Sequence, residues 1–204
     1  MNNQRNLQIY RVWAFVYDTW IPLLYGRARR RAIALLKLQP GERLLISGIG
    51  TGLDLPHILT GVSIVGTDLS PDMLAKAKAK TNNGDVTLLE MDVQALDFAD
   101  ASFDAVLFNL ILTVVPDGAA AFAEGWRTLK PGGCAVIFDK FLPEDVALTP
   151  GRRLVGGIAR VLGTDPNRRL SEIIGGVSGL HIERDEPSLL RGQYRILKIG
   201  KMKD

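Results

Sequence analysis

The stretch RLLISGIGTGLDLP, residues 43–56, sets an apolar run against a loop in which glycine recurs at 48, 50 and 52. A short apolar run without alternation reads as a strand buried on both faces. Glycines straight after it admit positive φ and let a ligand lie directly on the backbone. Two phosphate-binding patterns fail here. The mononucleotide loop needs Lys and then Ser or Thr after its last glycine, but Gly52 is followed by Leu53 and Asp54. The dinucleotide fingerprint needs two residues between its second and third glycine, and only Thr51 stands there. A different ligand is therefore expected on the turn. The segment Leu53–Thr60 is read as a short helix whose free N–H groups would receive a carboxylate.

Outward from this loop the chain alternates between strand and helix patterns. VSIVGTD (62–68), DVTLLEMD (85–92), SFDAVLFNLIL (102–112) and CAVIFDKF (134–141) read as strands. SPDMLAKAKAKTNN (70–83) reads as a helix, with Ser70 as N-cap and Pro71 in its first turn. Residues Asp117 to Leu129 read as another, stopped by Pro131-Gly132-Gly133. Strands and helices at this spacing predict a doubly wound parallel sheet. Residues 149–177 are expected to be helical and basic. LHIERDEPSLL (180–190) and QYRILKIGK (193–201) are expected as an antiparallel finish.

Ligands of such sheets bind at the carboxyl ends of the strands. Asp68 ends the second strand, where a carboxylate can accept from two ribose hydroxyls. Asp92 ends the third and could accept from an exocyclic amine, with Met91 and Val93 on the face of an adenine. Asn109 ends the fourth and faces the same crevice.

These segments, LLISGIGTG, VGTDLSPDML, LLEMDVQALDFADASFDAVLFN and TLKPGG, resemble in order the signature series of class I S-adenosylmethionine-dependent methyltransferases. The opening YDTWIPLLYGRARRRAI is similar to the branch that includes ubiquinone/menaquinone biosynthesis methyltransferases and bacterial phospholipid N-methyltransferases. The resemblance implies a Rossmann-like α/β fold with a mostly parallel seven-stranded sheet and an antiparallel last strand. It implies S-adenosyl-L-methionine as cofactor and S-adenosyl-L-homocysteine as product. Gly48, Gly50, Thr51 and Gly52 would border the methionine part. Asp68 would hold the ribose, with Leu69 and Met73 near the adenine. Asp92 and Val93 would contact the adenine, and Asn109 the sulfonium side. Tyr17 would close over the cofactor. The pattern departs at Ile46, where the family carries an acid that helps hold the cofactor's amino group.

The chain is expected to be a single methyltransferase domain over 1–204, with an N-terminal helical lid (1–40), a cofactor-binding core (41–140) and substrate-side elements (141–204). A hydrophobic content of 47% is enough for one core at 204 residues. Cys134 is the lone cysteine, so a cytoplasmic setting is expected and no metal centre is. Methyl transfer needs no triad. Asp139, with Lys140, is the candidate to orient or deprotonate an acceptor. His57 and His181 read as surface or packing residues. Tyr194 and Arg195 alternate along a strand, so one of them points away from the acceptor.

Charge is segregated: net +6 over residues 1–40, −8 over 41–150 and +5 over 151–204. The first flank sets Trp13, Phe15 and Trp20 beside Arg27, Arg29, Arg30 and Arg31, and residues 151–170 form a second basic, amphipathic segment. Such flanks suit a small apolar or lipid-like acceptor bearing an amine or hydroxyl, with peripheral contact to a membrane. A non-catalytic cofactor-binding protein, motivated by Ile46, and a nucleic-acid methyltransferase are the alternatives. Nucleic acid is the weaker, because aromatics interleave poorly with the arginines. Nothing in the sequence points to an oligomeric state.

Overall fold

The computed structural model describes residues 24–81, 85–161 and 163–203. Helix α1 spans 24–36. It is followed by β1 (Arg43–Ser47), a 3-10 turn (Leu55–His57), β2 (Ser63–Asp68), α2 (Pro71–Lys78), β3 (Val86–Glu90) and β4 (Phe103–Asn109). Then come α3 (Gly118–Thr128), β5 (Leu129–Lys140), α4 (Pro150–Val161), α5 (Leu170–Ile174), β6 (Leu180–Pro187) and β7 (Tyr194–Lys201).

The seven strands form one sheet in the order β3-β2-β1-β4-β5-β7-β6. Strand β7 runs antiparallel to both neighbours, β5 and β6, while the other pairs are parallel. The expected mostly parallel seven-stranded fold with an antiparallel last strand is thus the fold observed. Strand order reverses between β1 and β4, the place where such sheets open a crevice at their carboxyl ends.

Alternation along the strands divides the core between two faces. Leu45, Val106, Phe108, Ile137 and Leu197 meet Phe122 and Trp126 of α3 and Leu170 and Ile173 of α5. Leu44, Ile46, Leu107, Val136 and Phe138 meet Ala28, Ala32, Ile33 and Leu36 of α1. Both sides of β1 and β4 are buried, which explains their unbroken apolar sequence.

Several expected elements differ. Only a single 3-10 turn forms where Leu53–Thr60 was expected as a helix. Asp54 stands at its N-cap, but its side chain makes no capping bond, and Ile58 is already extended. The carboxylate is engaged elsewhere, as described below. The helical segment expected over 149–177 is two helices, broken after Val161 where Gly163 takes φ +86° and Pro166 follows. Helix α3 ends at Thr128, earlier than Pro131, because Leu129 already pairs with Phe103. Ser70 does cap α2, accepting from Met73 N at 3.3 Å, and Asp117 caps α3, accepting from Ala120 N at 2.9 Å.

Candidate active site

A crevice of about 860 Å³, counting its open mouth, lies at the switch point. Its floor is the glycine loop. Gly48, Gly50 and Gly52 all take positive φ, at +76°, +56° and +75°. Gly48 and Gly50 line the crevice with Thr51, whereas Gly52 lies off it against α2. A Cβ on Gly52 would stand 2.9 Å from Ala77 Cα. That glycine therefore permits loop–helix packing and does not touch the crevice.

Asp68 is joined to the loop through its backbone. Gly50 N donates to Asp68 Oδ2 at 2.8 Å, and Ser70 N to Oδ1 at 2.9 Å. Burial raises the Asp68 carboxyl above its ordinary range, and the amides of Ser70, Gly50 and Leu69 oppose that shift. Asp92 sits across the crevice, fixed by Gln94, whose backbone N and Nε2 donate to Oδ1 at 3.0 and 2.9 Å. Leu69, Met73, Met91 and Val93 supply apolar surface between the two acids. The far wall is Leu110, Ile111, Val114 and Val115. Leu110 takes φ +60°, a conformation costing about 1–3 kcal/mol for a branched residue, and it is held there by its N–H bond to Phe138 O at 2.7 Å.

Sequence reasoning missed a buried polar cluster at the methionine end of the loop. Arg29 of α1 donates from Nε and Nη2 to the two oxygens of Asp54, at 2.9 and 2.7 Å. Asn109 Nδ2 donates to Asp54 Oδ1 at 2.9 Å. Arg29 is 6% exposed and Asp54 1%. Arg29 and Asn109 line the crevice, while Asp54 stands behind them. Asn109 Oδ1 is buried and has no hydrogen-bond partner among the described residues. One signal could have found Arg29. It sits three and four residues before Ala32 and Ile33 and seven before Leu36, a cation inside the apolar stripe of a helix. Ile46, at the position of the family's acid, is fully buried in the core under α1.

The remaining expected residues lie apart. Tyr17 falls outside the described residues. Asp139, next to last in β5, is fully buried and does not line the crevice. It accepts from Thr113 N at 3.1 Å and Thr113 Oγ1 at 2.6 Å, which anchors the loop after β4 to the sheet. Lys140 Nζ donates to the same hydroxyl at 2.9 Å, and burial lowers its pKa. Tyr194 turns inward to meet Tyr25, with their hydroxyls 2.9 Å apart, whereas Arg195 turns away and pairs with Asp185. His57 and His181 are exposed.

The methyltransferase domain model matches residues 45–137. A phosphatidylethanolamine N-methyltransferase of Cereibacter sphaeroides is 32% identical over 76% of this chain and 77% of its own. The chain belongs to the class I S-adenosylmethionine-dependent methyltransferases. A demethylmenaquinone methyltransferase of Thermus thermophilus is 38% identical over 55% of this chain, which spans only 54% of that enzyme. The solved S-adenosylmethionine-dependent methyltransferase of Mesorhizobium loti superposes with a TM-score of 0.65, covering 87% of this chain and 97% of its own at 22% identity. The methyltransferase's expected cofactor, S-adenosylmethionine, follows from the family.

Proposed function

We propose that this methyltransferase transfers a methyl group to an amine or hydroxyl of a lipid-like or small apolar acceptor. The observation that carries the cofactor half is the Asp68 carboxylate bonded to Gly50 N at the crevice floor. One ordered acid beside an open backbone fits a ribose on the acid and the methionine chain on the loop. Asp92 fits the adenine amine, with Leu69, Met73 and Val93 against the ring.

The Arg29–Asp54–Asn109 cluster takes the place of the acid missing at position 46. Asp54 holds the guanidinium through Nε and Nη2, so Arg29 presents a preoriented cation to the cofactor's carboxylate. The unpartnered Asn109 Oδ1 is the acceptor for its amino group. This supports a competent cofactor site despite Ile46, and so an enzyme over a non-catalytic binder.

When bound, S-adenosylmethionine supplies a methyl group already activated on a sulfonium, with a neutral leaving group. The chain's own contribution is then alignment and exclusion of water, an effect worth up to about 7–11 kcal/mol. The aliphatic wall from Leu110 to Val115 excludes water and suits an apolar acceptor body. No residue of this wall is a base, which agrees with an acceptor that needs little help in losing its proton. The names of the phosphatidylethanolamine and demethylmenaquinone methyltransferase relatives support a lipid or quinone-like acceptor.

The test is methyl-labelled S-adenosylmethionine added to a host extract with the purified protein. Label in the lipid-soluble fraction is expected. Label confined to small polar or macromolecular products would overturn the lipid reading. No label, together with no S-adenosylhomocysteine binding by calorimetry, would overturn the enzyme.

A further inference from the structure

Helix α4 is built inside out. Its aliphatic residues Leu154, Val155, Ile158 and Val161 are 69%, 62%, 57% and 51% exposed, whereas the residue it buries is Gly156. Leu154, Ile158 and Val161 share one face at i, i+4 and i+7, and Val155 adjoins it. Gly156 is two residues from both Leu154 and Ile158, so it lies about 200° around the axis from each. The apolar stripe therefore points straight away from the protein body. Arg152, Arg153 and Arg160 sit between that stripe and the packed face, and all three are exposed.

We infer that α4 is a membrane-docking helix whose outward stripe enters the interface of an anionic phospholipid bilayer. An amphipathic helix of this kind lies in the plane of the surface with its apolar side in the acyl boundary. Arginines flanking the stripe reach the head groups with their charged ends while their stems stay apolar. Charge complementarity selects the occupant. The polar side chains of α4 are all cationic, and among the described residues the acid paired with them is Asp165, which accepts from Arg160 Nε at 2.8 Å. Among the described residues no helix is long and apolar enough to cross a membrane, so contact is by docking on the surface.

The helix is tied to the active-site wall. Asn167 Nδ2 donates to Arg152 O at 3.1 Å, and Asp165, paired with Arg160, donates its own N–H to Thr113 O at 2.7 Å. Thr113 lies between Ile111 and Val114 of the crevice. A bilayer held on α4 thus adjoins the wall proposed for the acceptor. The inference rests on the lipid-acceptor reading for its purpose, while the surface itself is read from α4 alone.

The test is flotation of the purified full chain, without cofactor or acceptor, with two kinds of vesicle. Phosphatidylglycerol–phosphatidylcholine vesicles at 1:1 are compared with pure phosphatidylcholine at low and high salt. The expected result is binding to the anionic vesicles that weakens with salt. The L154S/I158S and R152E/R153E variants should each bind at least about tenfold more weakly. Both change exposed side chains, and retained S-adenosylhomocysteine affinity verifies their folding. No flotation of the wild type overturns the inference. So does flotation that neither variant reduces, which would locate the contact on another segment. A reversible dimer in sedimentation velocity that L154S/I158S abolishes, without vesicle binding, also overturns it and identifies a second copy as the occupant. Because the readout needs no methyl transfer, a negative result leaves the lipid-acceptor reading to its own assay.

Discussion

Arg29 and Asp54 serve both stability and binding, and the two can be separated by substitution. Removing one member of a buried, hydrogen-bonded ion pair leaves a charge without compensation, at a cost of about 3–5 kcal/mol. The Arg29→Met variant is therefore expected to unfold at much lower denaturant, with Asp54 stranded behind Asn109. Arg29→Met/Asp54→Leu should recover most of that stability, since an apolar pair of similar volume is often no worse. It should not recover cofactor affinity, because the crevice has lost its cation. Chemical denaturation and calorimetry with S-adenosylhomocysteine read the two effects apart. If the double variant bound as tightly as wild type, Arg29 would be structural only. Asp68 gives a second case. Asp68→Asn keeps the shape but loses the charged acceptor, and hydrogen bonds to a charged group contribute about 1.5–3 kcal/mol. Affinity for S-adenosylhomocysteine should fall roughly ten- to hundredfold, and the thermal midpoint of the free protein should fall as well, because the amide NH2 must face the Gly50 or Ser70 N–H.

At the scale of elements, the glycine loop depends on α2 as much as on the ligand. Gly52 combines φ +75° with a Cβ position 2.9 Å from the backbone of Ala77. Gly52→Ala should destabilise the protein by about 1–3 kcal/mol, through left-handed strain and displacement of α2. It should also weaken cofactor binding indirectly, since Met73 on α2 lines the crevice. Urea unfolding checks the first effect, and an unchanged midpoint would refute the packing account. Most of the sheet was legible because buried parallel strands carry their own signature, and Ser70 announced α2 by its cap. Failures came where a side chain answered a distant partner. Leu53–Thr60 reads as a helix, but Arg29, 25 residues before Asp54, holds the carboxylate at its start, and only one 3-10 turn forms. Asp139 followed the pattern of an acid at a strand end, yet Thr113 occupies it. Neither pairing has a local sequence signal. Ile46 pointed to a weakened methionine site, and no single-residue reading could show that a cluster drawn from α1, the loop and β4 stands nearby.

For the molecule as a whole, cofactor binding couples pH to stability through Asp68, with opposite signs in the free and bound forms. Burial raises its carboxyl. In the free protein the fold thus favours the protonated acid, so this contribution to stability is full below the ordinary carboxylate range. It is lost as pH rises through the raised value. A ribose needs the ionised form as acceptor, so affinity is full above the raised value and falls as pH drops through it. Because that value is raised, the loss should begin at higher pH than an unperturbed aspartate would give. A ligand that binds only the folded state adds about 2.7 kcal/mol at a hundred times its dissociation constant. For a chain of this length that corresponds to roughly 5–10 °C in the thermal midpoint. Saturating S-adenosylhomocysteine should give this rise at neutral pH and a progressively smaller one on acidification. In Asp68→Asn the rise should be smaller at neutral pH and lack the acid-side decline, so that the two proteins converge at acid pH. A wild-type shift that stayed constant down to the ordinary carboxylate range would mean that Asp68 does not carry the ribose. The crevice would then bind its cofactor through the Arg29 cluster and the loop alone.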